Sequence, residues 1–388
     1  MARGLSIETI TPGELSPEEI ALWIRFVRAD ARYASPYFHP RFTQIAGEVA
    51  PGARVAILQR GGEIVGFFPH QLRGAAAQPI GAPLNDYHGV IARPGAAPSL
   101  DQLPALIGAG SLTVNGWIGD GGGDGLARRT LQADLSAGWS TYDAERRGGW
   151  RKFFRDKDRA RRALERDHGE VRLSLDRPGS ADLDRLISLK SAQYRRSGRH
   201  DIFACGWTVD LLKALATVQE PGFGARLAVL EAGGEGVAFE YGLWAGDRHH
   251  FWLPAYETHV ARYSPGMLLS LDTMRHLSAR GAAVFDFGFE GEGYKKYFCN
   301  RSTSVIEGAV HQPGFADAMT AAFSMAGAAG ALEAGEAMAR ADLGQSLRRR
   351  WAAINACETT IGGRVRGVAA AAAAAVVRAV SPPANPIS

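Results

Sequence analysis

Chemistry-bearing residue types are densest between Phe285 and Phe298, which reads FDFGFEGEGYKKYF. Asp286, Glu290 and Glu292 are interleaved with Gly288, Gly291 and Gly293, and Tyr294, Lys295, Lys296 and Tyr297 follow. Only six lysines occur in the whole chain, so an adjacent pair stands out against an arginine-rich background. Carboxylates can take a proton from a nucleophile and phenols can return one to a leaving group. Glycines let the backbone approach a ligand closely. A plain strand with core phenylalanines and a solvated lysine turn would give part of this pattern, but the glycines set beside polar groups favour a site. A second cluster is Arg262-Tyr263-Ser264-Pro265-Gly266. Serine at an N-cap and proline at the first helical position start a helix, and the free N–H groups there suit a phosphate. An ordinary capped helix would read the same way. Cys205, Cys299 and Cys357 are scattered without C-x-x-C spacing, which argues against a zinc site or a disulfide framework.

The elements that position these residues come in two copies. Residues 54–68, RVAILQRGGEIVGFF, and 226–240, RLAVLEAGGEGVAFE, agree at eight of fifteen positions. Pro94-Gly95 and Ser99-Leu100-Asp101 recur as Pro265-Gly266 and Ser270-Leu271-Asp272 at nearly the same offset. In each copy a strand runs into Gly-Gly-Glu and a second strand follows, predicting an antiparallel hairpin. In the second copy a strand over His250–Glu257, a helix over Met267–Ala279 and a strand over Ala283–Phe289 complete the unit. The pattern predicts an α+β fold with mixed sheets and domains at 1–145 and 146–312, with an Ala/Arg-rich helical tail at 313–388.

Length and charge agree with that division. The chain has 388 residues and a net charge of +4, enough for two domains. Residues 146–166 carry ten Lys/Arg against three Asp/Glu, and 346–388 carry six Arg against one Glu. Two basic segments on an acidic body point to local contacts with anions and not to a DNA-binding coat. The first predicts a helix over Trp150–Arg166 with Trp150, Phe154 and Leu164 on its apolar face, and a second helix covers Leu183–Arg196. No apolar run is long enough to span a bilayer and the N-terminus has no signal-peptide pattern, so the expected location is the cytoplasm, with peripheral contact at the inner membrane face through the basic helices.

The order Leu189-Lys190…Tyr194-Arg195…Gly198, the Gly-Gly-Glu hairpin, Ser264-Pro265-Gly266-Met267-Leu268-Leu269 and Asp286-Phe287-Gly288…Tyr294-Lys295 resembles a known group. It is similar to acetyltransferases of the cellulose-biosynthesis CelD type, relatives of the FemAB peptidyltransferases within the GNAT superfamily. The match spans about residues 150–305, and Pro83-Leu84-Asn85-Asp86-Tyr87-His88 extends it into the first half. The resemblance implies two tandem GNAT-like domains and transfer of an acyl group, acetyl in the simplest case, from acyl-CoA to an amine. The implied acceptor is an amino sugar or glycan precursor, nucleotide- or lipid-linked, in exopolysaccharide biosynthesis. It implies that two strands splay apart around the donor and that Arg262, Ser264, Gly266 and Met267 hold its pyrophosphate. A backbone N–H near Leu253–Ala255 would then meet the developing oxyanion.

For the base the candidates are Asp286 or Glu290, with Glu240 as a buried-strand alternative; Tyr294, then Tyr297, would protonate the departing thiolate. Lys295 would contact a phosphate or the acceptor, and Lys190 and Tyr194 would line the substrate site. The first copy departs from the pattern, ending VNGWIGDGGGDG and placing Pro98 where Leu269 stands. Its donor site is expected to be degenerate, while Asp86, Tyr87 and His88 could line an acceptor groove between the halves; His88 could equally be a satisfied loop histidine. Two alternatives stand beside this function: FemAB-like aminoacyl transfer onto a peptidoglycan precursor, and a non-catalytic nucleotide- or polysaccharide-binding regulator.

Overall fold

The computed structural model describes residues 4–121, 125–175, 180–197, 199–218, 220–312, 353–358, 362 and 364. The expected tail at 313–388 lies outside the described residues except for those last positions, of which 353–357 are helical. The strands of the first half are β1 (Leu5–Ile10), β2 (Ala53–Arg60), β3 (Glu63–Arg73), β4 (Ala76–Pro79), β5 (Ile91–Ala92), β6 (Ser111–Trp117) and β7 (Leu126–Asp134). Those of the second are β8 (Val171–Leu175), β9 (Phe223–Ala232), β10 (Glu235–Ala245), β11 (Arg248–Tyr256), β12 (Val284–Phe289) and β13 (Arg301–His311). The helices are α1 (Pro17–Ala29), α2 (Pro40–Val49), α3 (Leu103–Leu106), α4 (Trp139–Gly149), α5 (Arg151–His168), α6 (Ser180–Arg196), α7 (Trp207–Ala216), α8 (Pro265–Ser278) and α9 (Lys295–Phe298).

Both expected hairpins form. Arg60 pairs with Glu63 and Ala232 with Glu235, so each Gly-Gly is a two-residue turn. All four glycines have positive φ, between 61° and 88°, the backbone that such a turn demands. The sheet runs β1-β2-β3-β4-β6-β13-β7-β12-β11-β10-β9-β8, with β5 on β3. It is mixed, since β4–β6 and β11–β12 are parallel and the other pairs antiparallel. The two halves of this order mirror one another. The last strand of each half crosses the centre: β7 pairs with β12 and β13, and β13 pairs with β6 and β7.

Alternation along the strands sends side chains to two layers. Val229, Phe239 and Tyr241 join the core under α1, α2, α6 and α7, whereas Ala228, Leu230 and Ala238 face α5 and α8. A third cluster, Phe285, Phe287, Met274 and Phe298, lies under α4 and α8. Each large side chain buried in these layers contributes about 1.5–3 kcal/mol. On α5, Phe154 and Leu164 are buried as expected, but Trp150 precedes the helix and is 37% exposed, edge-on to Tyr297.

In the first half the counterpart of α8 shrinks to a 3-10 turn at Leu100–Gln102 and the four-residue α3. Pro98 explains the late start, because its ring cannot sit inside a helical turn. Beyond the two-residue parallel pairing of β4 with β6, the chain itself returns to β6. His88 bridges Trp117, accepting from Ile118 N and donating to Gly116 O through its backbone. The segment that closes this space carries Asp86 and Tyr87 toward the second half.

Candidate active site

In the second half no isolated bridge among the described residues closes the corresponding space. β11 and β12 are in parallel register at only Arg248–Val284, His249–Phe285 and His250–Asp286, after which the strands part. A bulge accompanies the parting: His250 faces Leu243 and Leu253 faces Tyr241, so Phe251 and Trp252 both stand opposite Gly242. One extra residue reverses which backbone groups point out of the hairpin. Pro254 O consequently faces outward and accepts a hydrogen bond from Lys190 Nζ at 3.0 Å. Leu253 and Ala255, on either side, have buried side chains and stay in register with β10.

The mouth of this gap is the start of α8. Pro265 occupies the first turn as expected, but Ser264 does not cap the helix with its side chain. It adopts φ 54°, ψ 47°, and its hydroxyl accepts from Lys157 Nζ at 2.7 Å. The N–H groups of Met267 and Leu268 go to Ser264 O instead. A side-chain atom built on Gly266 would meet only Tyr256, at 3.6 Å, so this position is roomy. Arg262 is exposed, lies over the Tyr263 ring and approaches Asp167 at 3.3 Å. Lys157 comes from the basic helix α5, and burial pushes its ammonium pKa down. Beside it, Arg161 pairs with Asp272 of α8 at 2.6 Å. A cleft of about 200 Å³ between α4, α5 and α8 is lined by Trp139, Arg147, Lys157, Arg161, Leu268 and Arg275.

The candidate carboxylates have different surroundings. Asp286 is 1% exposed and fully engaged: Oδ1 accepts from Gly288 N at 2.8 Å, both oxygens face Tyr87 OH at 2.9 Å, and Oδ2 accepts from Gln132 Nε2 at 3.2 Å. Glu290 is exposed and closes onto β7, with its backbone N–H bonded to Arg129 O and Oε1 3.4 Å from Arg129 N. That is the edge of β12 away from the gap. Glu240 is buried, with Oε1 2.9 Å from His249 Nε2, while Oε2 and His249 Nδ1 have no hydrogen-bond partner among the described residues. Asp86 reaches solvent, with a 27% exposed side chain, and Oδ2 lies 3.0 Å from His250 Nε2; His250 is itself fully buried and edge-on to Tyr37.

The structure brings Lys190 and Tyr194 together on α6, with the charge of Asp86 felt at Tyr194 and that of Lys295 at Lys190. Lys190 Nζ lies over the Tyr194 ring at 5.7 Å. Burial raises the Tyr194 phenol's pKa, with a further push from Asp86. Lys295 is 7% exposed and donates to Phe289 O and to Glu292 at 2.6 Å each, tying off the end of β12. Tyr294 precedes α9, and burial raises its phenol's pKa, followed by the charges of Glu292 and, lesser, Glu240. Tyr297 stacks on Phe153 at 4.0 Å. His88 stays apart: it stacks on Phe68 and reaches Pro69 O at 3.3 Å, and burial draws its pKa down to about 3.

Sequence reasoning did not find the two histidine–carboxylate pairs, Gln132, or Lys157 as an individual. The adjacent His249-His250 carried a signal. Neighbouring strand residues point to opposite faces, so two histidines on a buried strand each need a separate polar partner.

Residues 151–296 match a family model described as an acetyltransferase (GNAT) domain. No curated protein matches the chain. Among solved structures, a DUF2156 domain from Agrobacterium fabrum, assigned to a lysylphosphatidylglycerol synthetase, is 13% identical; the match covers 81% of this chain and 99% of that one, with a TM-score of 0.50. FemX is also 13% identical, over 78% of this chain and 96% of its own, at a TM-score of 0.45. A tandem GNAT protein from the clavulanic acid biosynthesis pathway is 10% identical over 79% and 98%, at 0.44. At 13% identity the first likeness speaks to fold alone. The family match covers the parted strands, the Ser264 loop and Tyr294, so the chain carries an acetyltransferase domain of the GNAT kind and is an acyltransferase.

Proposed function

We propose that the protein transfers an acyl group, acetyl in the simplest case, from acyl-CoA to an amine on an amino sugar or glycan precursor in exopolysaccharide biosynthesis. The observation that carries this reading is the parting of β11 from β12 beyond His250–Asp286, with the roomy Gly266 position at the start of α8 beside the end of β11. In it, residues 146–312 hold the donor. Gly266 offers the start of α8 to the pyrophosphate and Lys157 adds a cation, whereas the Met267 N–H is taken by Ser264 O. The first domain, 1–145, closes the acceptor side with Asp86 and Tyr87. Asp86, backed by His250, is our choice of proton acceptor, because it is the carboxylate that reaches solvent beside the gap, whereas the oxygens of Asp286 are already taken. Tyr294 then protonates the departing thiolate.

Calorimetry and thermal shift with acetyl-CoA, CoA and UDP-linked sugars test the donor assignment. A ligand at a hundred times its Kd stabilises the native state by about 2.7 kcal/mol. Absence of any stabilisation by a CoA species would refute the reading. Gly266→Trp is expected to abolish CoA binding while the fold is retained, since the added ring fills the turn. In a thiol-release assay with glucosamine and UDP-linked amino sugars, Tyr294→Phe is expected to lower kcat by about 10²–10⁴-fold with little change in KM for acetyl-CoA. A loss confined to KM would remove Tyr294 from the chemical step.

One observation favours a second reading, aminoacyl transfer from tRNA. Arg151, Lys152, Arg155, Arg159, Arg162 and Arg166 are all exposed on α5. Such a surface suits a polyphosphate backbone or the anionic face of a membrane. No helix among the described residues is long and apolar enough to cross a membrane. Strongly salt-dependent binding of tRNA, without binding of acetyl-CoA, would decide for that alternative.

A further inference from the structure

Acyl transfer requires a hydrogen-bond donor where negative charge gathers on the carbonyl oxygen. On a parted strand the ordinary donor is a backbone N–H turned into the gap. In this chain the bulge at Phe251–Trp252 turns the backbone of residue 254 outward, and residue 254 is a proline, which has no N–H. The outward carbonyl of Pro254 is occupied by Lys190 Nζ at 3.0 Å. An ammonium carries three donors, and this is the one hydrogen bond Lys190 makes among the described residues.

We propose that Lys190 supplies the donor that β11 lacks: its ammonium, held by Pro254 O, hydrogen-bonds the acyl carbonyl oxygen of the donor thioester. This rests on the acyl-CoA reading above. As the amine nitrogen bonds the carbonyl carbon, the π electron pair moves onto oxygen, and Lys190 stabilises that oxyanion while keeping its own proton. Asp86 takes the amine proton. When the pair returns, the C–S bond breaks and the thiolate takes its proton from Tyr294.

The supports of Lys190 fix its position. Leu183 and Leu186 bury one face of α6, and Arg185 binds Glu257, just past β11, through two bonds of 2.6 and 2.7 Å. Lys190 Nζ lies over the Tyr194 ring. Burial is the main influence on its ammonium and draws the pKa down to about 8; Glu292, from the segment after β12, opposes this, and Arg199 and Lys295 add to it. Tyr194 on α6 and, beyond it, Asp86 from the first half complete the titratable surroundings. A group with a lowered amine pKa is charged below that value and neutral above it, so the polarising contact is present below about pH 8 and lost as pH rises through it.

Acetyl-CoA labelled with carbon-13 at the carbonyl tests this without knowledge of the acceptor. Bound to the wild-type protein, its carbonyl resonance is expected to move downfield of the free value and to return toward it as pH rises through about 8. Lys190→Met, an apolar chain of similar length, is expected to bind acetyl-CoA without that displacement at any pH. Lys190→Arg is expected to restore it and hold it above pH 8, because a guanidinium does not deprotonate there. An undiminished displacement in Lys190→Met overturns the proposal while leaving the acyl-CoA reading intact. A wild-type displacement that does not titrate near pH 8 also overturns it. Failure of the wild-type protein to bind acetyl-CoA overturns the acyl-CoA reading first, and this proposal with it.

Discussion

Asp286→Ala is expected to destabilise the protein by roughly 3 kcal/mol or more, measured as a lower midpoint of denaturant unfolding. The substitution strands three buried donors at once: Tyr87 OH, Gly288 N and Gln132 Nε2. Each buried donor left without an acceptor costs about 1–3 kcal/mol. The damage crosses the molecule, because Tyr87 and Gln132 come from the first half and Gly288 from the second. Asp286→Asn separates a structural role from a chemical one. Its carbonyl oxygen still accepts from Gly288, but its amide faces that of Gln132, so a smaller cost of about 1–2 kcal/mol is expected from the one mismatched pair. If Asp286 only holds the seam together, the asparagine variant retains acyl transfer. Loss of turnover in that variant, with stability little changed, would make Asp286 the base and displace Asp86 from that role.

The second large effect is expected at Glu240 and His249. Both side chains are 1% exposed and lie 2.9 Å apart. Removing one partner leaves the other buried and unsatisfied, which costs about 1–3 kcal/mol and more for a charged group, so His249→Ala is expected to destabilise the protein by about 3 kcal/mol. Replacing both with leucine is expected to recover most of the loss, since exchanging both partners of a buried hydrogen bond for apolar groups of similar shape can be nearly neutral. A double-mutant cycle reads this directly, and additive single effects would show that the pair is not coupled. Gly242 offers an independent route to the same pair. A Cβ there would stand 2.4 Å from His249 Cε1 and 2.6 Å from Glu240 Oε1, so Gly242→Ala should carry a penalty of the same kind. Gly242 is also the residue opposite the bulge, which links this buried pair to the shape of the gap.

The second copy was largely legible because its signals are local. Gly233-Gly234 and Gly61-Gly62 specify hairpins by backbone conformation alone, and Ser264-Pro265 marks the start of α8, which begins at Pro265, two residues before the expected Met267. The expected strands over 250–257 and 283–289 differ from β11 and β12 only at their ends. Long-range facts were not legible. Nothing in LARRTLQAD says that β7 will leave the first half and pair with β12, because a strand with two open edges has no local preference between partners. Asp286 stood out in sequence as a carboxylate amid glycines and aromatics, but its three donors arrive from positions 87, 132 and 288. The hydroxyl of Ser264 was expected to cap its helix; only the packing of α5 against α8 brings Lys157 to it.

The crossing of β7 and β13 through the centre of the sheet sets the order in which the chain can become complete during synthesis. When residues 1–145 have left the ribosome, β6 still lacks β13 and β7 lacks both β12 and β13, and β13 is the last strand to emerge among the described residues. Unsatisfied strand edges are templates for association with other chains, and pairings this distant in sequence form slowly. The first half must therefore wait, with its edges bare, for the second. A chain truncated before Arg301 would leave one side of β6 and one side of β7 permanently open, and a chain begun at residue 146 would bare the edge of β12 that faces away from the donor gap. Neither half is expected to persist as a soluble product, and folding of the full chain should respond strongly to chaperones that shield nascent strands.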